Sequence, residues 1–205
     1  MIKLMTKRAW PAMLVLLSLC LMTPPSRATV ITDPANDFIP TFTGTKSPDL
    51  DVLSVFATFD GAAFHIGATM AGNIGTLPTA LYVFGFNRGL GNLNFASIGL
   101  PGVVFDTVIT MTGAGVVNRA GATSHITGAT FTIDVPIALL PSTGFQPSDY
   151  GINLWPRDTA VAAGNAQISD FAPNSTTFKA VPEPASLVLL LGGLFGLIGW
   201  RRRAV

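Results

Sequence analysis

An all-β fold, an antiparallel β-sandwich of Ig-like or jelly-roll type, follows from three observations on the sequence. Apolar residues through the middle of the chain recur close to every second position, which is the period of a half-buried strand. Clusters of Gly, Asn, Asp and Pro separate the apolar runs. No amphipathic helix of three turns stands out between them. Roughly seven to ten short strands in a body of about 150 residues fit two packed sheets. No repeat of solenoid or propeller length is visible.

The clearest element is a hairpin. Leu53, Val55, Ala57 and Phe59 share one face of a first strand, and Ala62, Phe64, Ile66, Ala68 and Met70 share one face of the next. Asp60-Gly61 between them predicts a type I′ turn, whose two central residues both need positive φ. Further strands are expected over Ala80–Phe86, Val103–Thr112, Ala129–Val135, Tyr150–Trp155 and Gln167–Phe171, with Thr176–Lys179 as a last edge. Asn87–Asn92 and Gly113–Gly115 read as breaks.

The termini are of a different kind. Residues 1–28 have the three zones of a secretory signal peptide: Lys3, Lys7 and Arg8, then the apolar stretch Ala12–Met22, then Thr23–Ala28 with small residues at Ser26 and Ala28. Cleavage by signal peptidase is expected after Ala28. The single cysteine, Cys20, lies inside this segment with Leu19 before it, which excludes a lipoprotein signal. The mature chain then has no disulfide, thiol nucleophile or thiolate metal ligand. At the other end, residues 173–180 read as a linker between a sandwich at 29–172 and a tail at 181–205. In that tail Pro182 and Pro184 keep the backbone extended. Ala185–Trp200 carries no charge, and as a helix it would be about 24 Å long. That is short for a hydrocarbon core of about 30 Å, though enough for a thinned bilayer. Trp200 suits the membrane interface, and Arg201, Arg202 and Arg203 suit its cytoplasmic side. A single C-terminal transmembrane helix in the inner membrane is therefore expected.

Val181-Pro182-Glu183-Pro184, followed by the apolar run and the three arginines, resembles the PEP-CTERM sorting signal of exported bacterial proteins. That resemblance implies an exosortase-like membrane enzyme as partner and handling of the motif at the outer membrane face, in an organism that makes exopolysaccharide. The bland alternative is an ordinary single-span anchor.

The body is mildly acidic, with ten Asp and no Glu against Lys46, Arg88, Arg119, Arg157 and Lys179 over residues 29–180. That balance gives no nucleic-acid surface. Asp33, Asp37, Asp49 and Asp51 open the body, and carboxylates from a loop are the ligands Ca²⁺ takes. Their alternative reading is turn residues capping a strand. The D-P-x-x-D and D-L-D pattern loosely resembles the start of DOMON-like and carbohydrate-binding sandwiches. Arg88 beside Phe86, and Trp155 with Arg157 and Asp158, offer an aromatic platform with polar neighbours on which a sugar could stack. A core tryptophan and an ion pair pinning a loop is the competing reading.

Catalysis has little support. His65 and His125 have no metal-ligand spacing, no G-x-S-x-G surrounds Ser124, and the body has no glutamate to pair with an aspartate. The expectation is a non-enzymatic surface or matrix protein associated with exopolysaccharide or biofilm. A calcium-dependent carbohydrate-binding module and a secreted hydrolase with an Asp-based site are the alternatives. The one cofactor the residues suggest is Ca²⁺, at the aspartates.

Overall fold

The computed structural model describes residues 30–183. The expected signal peptide at 1–28, Pro184, the apolar run expected to span the membrane, Trp200 and Arg201–Arg203 lie outside the described residues. Among the described residues no helix is long and apolar enough to cross a membrane.

The described chain is all-β, with short 3₁₀ turns and no α-helix. One sheet contains β1 (Val30–Thr32), β2 (Val52–Phe59), β3 (Ala63–Met70), β9 (Thr130–Pro136) and β8 (Thr123–Thr127) in that spatial order. β12 (Val181–Pro182) joins it by pairing with β2. The facing sheet has the order β11 (Phe178–Lys179), β10 (Gly151–Asp158), β4 (Ala80–Asn87) and β7 (Thr107–Thr112). A separate hairpin pairs β5 (Leu93–Phe95) with β6 (Leu100–Phe105). All pairings are antiparallel except that of β12 with β2.

The alternation that predicts these strands also builds the core. Val55 and Ala57 of β2, Phe64 and Ile66 of β3, and Phe131 and Ile133 of β9 are fully buried. They meet Tyr82, Phe84 and Phe86 of β4 and Ile152 and Leu154 of β10. Aromatic pairs cross between the sheets: Phe64 lies 5.6 Å from both Phe86 and Tyr150, and Tyr82 lies 5.0 Å from Phe131. Such pairs contribute beyond the area they bury.

The hairpin between β2 and β3 forms where expected, but its turn differs. Only Gly61 has positive φ (95°). The Asp60 carboxylate instead accepts the backbone N–H groups of Ala62 and Ala63, both at 2.7 Å, so an Asx-type turn replaces type I′. A bulge between Val52 and Ser54 puts Val52 into the core in place of the expected Leu53.

β4 and β10 are nearly continuous in burial because both their faces are covered. Val83 and Trp155 point away from the main core into a second cluster with Phe95, Val103, Ile168 and Phe171. The β5–β6 hairpin thus roofs the second sheet. Gly85 is the close-approach point beneath this roof: a methyl group there would overlap the Trp155 ring. The outer face of the first sheet carries three cross-strand rows instead. They are Thr58–His65–Asp134–Thr123, Phe56–Gly67–Thr132–His125 and Ser54–Thr69–Thr130–Thr127.

The expected linker is part of the fold. Asn153 donates to the carbonyls of Pro173 and Thr176, both at 2.7 Å, and Phe178 pairs with Ile152. Ala180 is buried where the chain passes from one sheet to the other.

Candidate functional site

The aspartates cluster at the end of the first sheet. The chain leaves β1 at Asp33, whose N–H donates to the Leu53 carbonyl at 2.9 Å. It then turns through Asn36, a non-glycine residue at φ 63°. This left-handed turn is one that Asn tolerates. Its N–H reaches both carboxylate oxygens of Asp51, at 3.0 and 2.9 Å. The turn brings Asp37 back beside Asp33. From the far end of the sequence, Asp170 enters the same place, fully buried, accepting the N–H groups of Val52 at 2.9 Å and Phe171 at 2.7 Å.

One carboxylate oxygen from each of Asp33, Asp37 and Asp170 lies within 4.8 Å of the others. Asn174 donates to Asp37 Oδ2 at 3.1 Å, whereas Asp37 Oδ1 and Asp33 Oδ2 are buried without a hydrogen-bond donor. A buried acceptor left this way is costly unless a donor or a cation reaches it. Burial, then the neighbouring charges of Asp37 and Asp51, push Asp33 up to about 7. Burial first, with Asp33 and Asp37 adding, pushes Asp170 up to about 8 against the pull of the Val52 N–H. Asp51 is also raised, mainly by burial. Three carboxylates crowded in this way can share protons or gather round a hard cation that prefers oxygen ligands.

Of the four aspartates singled out in the sequence, Asp33 and Asp37 are in the cluster and Asp51 stands behind it. Asp49 is not a member. It sits in the 3₁₀ turn Pro48–Leu50, and its carboxylate accepts the Leu77 N–H at 2.8 Å, which ties down the approach to β4. Asp170 escaped the sequence reading because 137 residues separate it from Asp33. Its signal was a charge inside the apolar stretch Ile168–Ala172, where a buried polar group needs partners.

The aromatic platform does not form. Trp155 is 1% exposed, packed 5.0 Å from Phe95 and 4.9 Å from Phe105, so its ring offers no face to a sugar. Arg88 is elsewhere, its Nε donating to the buried carboxylate of Asp106 at 2.7 Å. Burial alone would raise Asp106, but hydrogen bonds from Arg88 and Thr143 outweigh it and hold the carboxyl below its ordinary range. Arg157 donates to Gln167 at 3.3 Å rather than pairing with Asp158. Asp158 is buried and accepts Thr79 Oγ1, Ala160 N and Thr45 N, binding three loops. These four residues hold the scaffold.

His65 lies on the outer face between two carboxylates, with Nδ1 2.7 Å from Asp134 and Nε2 3.3 Å from Asp60. Burial would lower it, but the two aspartates outweigh this and raise it above its ordinary value. Both ring nitrogens are thus engaged.

The last described residues carry the other candidate site. Val181 pairs in parallel with Thr58, and Pro182 with Phe59. Glu183 donates its N–H to the Phe59 carbonyl at 2.9 Å and accepts Thr58 Oγ1 at 3.0 Å. The first three residues of the V-P-E-P sequence therefore sit on the edge of the first sheet.

Fold and site together define an all-β protein whose last described strand carries the start of the V-P-E-P sequence. The chain matches the PEP-CTERM protein-sorting motif over residues 180–203. That motif implies export, membrane-associated sorting and an exosortase-type partner. No curated protein matches the chain. The resemblance of its opening aspartates to DOMON-like and carbohydrate-binding sandwiches is not confirmed.

Proposed function

We propose that this chain is a non-enzymatic surface or extracellular-matrix protein. It is exported across the inner membrane, held there by its C-terminal segment until an exosortase-like enzyme processes it, and then associated with exopolysaccharide. The sorting motif at residues 180–203 carries this reading. The engagement of both His65 nitrogens by carboxylates supports a structural rather than a catalytic histidine. The test is the intact mass of protein recovered separately from medium and envelope. Sorting predicts a product that begins at Thr29 and ends near Pro184, and replacing Pro182, Glu183 and Pro184 with alanine should abolish C-terminal processing while export continues. Unchanged processing in that variant removes the sorting reading.

The second reading is a calcium-dependent carbohydrate-binding module. It is favoured by the convergence of Asp33, Asp37 and Asp170 and by the donor-less oxygens of the first two. Asp33, Asp37 and Asp170 would hold the ion, with Asp51 adding negative charge behind them. Binding of the protein to exopolysaccharide, abolished by EDTA and restored by Ca²⁺, distinguishes this role from that of a cation-independent matrix component. A hydrolase with an Asp-based site is separated from both by turnover of the polysaccharide that an Asp→Asn change removes.

A further inference from the structure

The sorting motif is not presented on a free tether; its first half is a strand of the sandwich. β11 lies on the edge of one sheet against β10, and two residues later β12 lies on the edge of the other against β2. Buried Ala180 marks the crossing. Val181 and Pro182 are paired, and Glu183 is fixed at both its N–H and its carboxylate.

An extended peptide is commonly bound by its main-chain groups together with alternate side chains. The same groups cannot serve the sandwich and an enzyme cleft at once. The docked stretch is short and lies at an edge, and such segments open locally at far lower cost than the whole domain. We propose that the β2 edge acts as a latch on the sorting motif. Val181–Glu183 is withheld from the processing enzyme while paired and becomes a substrate only when β12 detaches, with the Thr58–Glu183 hydrogen bond as the catch. This rests on the sorting reading above and adds a control step to it: the folded domain sets the rate at which its own tail is processed.

The test follows C-terminal processing of the full-length chain in the producing organism by pulse–chase. Thr58→Val removes the hydroxyl that reaches Glu183, keeps a β-branched residue suited to a strand, and leaves every motif residue intact. Loss of this one hydrogen bond should raise the detached population, and with it the processing rate, about three- to fivefold. In the opposite direction, Thr58→Cys with Val181→Cys places a cysteine pair across the contact in an otherwise cysteine-free mature chain. The oxidised form should be processed at least about tenfold more slowly than the same chain kept reduced, since a covalent lock suppresses local opening. A slower or unchanged rate for Thr58→Val, or equal rates for the oxidised and reduced pair, overturns the latch. Processing that survives alanine at Pro182–Pro184 instead removes the sorting reading, so the two failures are distinct.

Discussion

Calcium added to the purified protein at pH 8 should raise its thermal midpoint, whereas the same addition at pH 5 should do little. In the folded chain Asp33 titrates near 7 and Asp170 near 8 instead of at the ordinary 3.8. The folded state therefore keeps protons that the unfolded chain has lost. Stability from these groups is complete below about pH 3.8 and is lost as pH rises through 7 to 8. For Asp33 the full difference corresponds to about 4 kcal/mol, of which solvent screens about half because the group is only half-buried. A cation takes over the role of the protons. Extracellular calcium modules bind at about 10⁻⁴ to 10⁻³ M. At 10 mM Ca²⁺ the linkage is then about 1.4–2.7 kcal/mol, or a rise of about 3–10 °C for a domain of this size. Scanning calorimetry at both pH values, with and without Ca²⁺, reads this directly. Asp37→Asn should remove most of the shift at pH 8, because Asp37 contributes an oxygen with no donor, while the bond from Asn174 to its other oxygen is one an amide carbonyl can still accept. No shift at pH 8, an equal shift at both pH values, or a full shift in the Asp37 variant would refute the reasoning.

Three further outcomes are expected. Gly85→Ala should destabilise the domain by about 1–3 kcal/mol, read by urea unfolding, because the added methyl overlaps the Trp155 ring within a closed layer. Asp106→Asn should cost about 2–3 kcal/mol in the same assay, since it weakens the bonds that hold half-buried Arg88 and the loop after β4. His65 should titrate above 6.5 by NMR. Its contribution is fully present below that pH and is lost as pH rises through the folded-state value, and Asp134→Asn should lower the titration midpoint.

Strands that bury one or two whole faces were legible in the sequence. β2, β3, β4, β9 and β10 all announce themselves by apolar period or density. Of the short edge strands, β11 falls within the expected edge Thr176–Lys179, but β1, β8 and β12 were not legible. β8 reads Thr-Ser-His-Ile-Thr, with too little apolar content to mark a strand, and β1 and β12 are ordered by pairing with β2 rather than by a pattern of their own. The predicted strand Val103–Thr112 is broken at Asp106, whose carboxylate gathers the N–H groups of Arg88 and Leu90. The stretch Gln167–Phe171 is apolar for another reason than pairing in a ladder: Ile168 and Phe171 fill the second cluster while Asp170 turns to Val52. At the aspartate site, local spacing found Asp33 and Asp37. Tertiary placement alone supplies Asp170, and it removes Asp49.

The roof that β5 and β6 place over the second sheet gives the molecule a dry side and a wet side. Trp155, Val83 and Gly85 spend that sheet's outer surface on internal packing. The other sheet turns threonines, serine, two histidines and an aspartate outward, with Phe56 lying across Gly67 among them. Among the described residues it is the broad sheet surface left to water. A neighbour laid flat against this domain, whether a polymer chain or another protein, would meet hydroxyls and imidazoles in regular rows around the ring of Phe56, with Trp155 and its aromatic neighbours hidden on the opposite side.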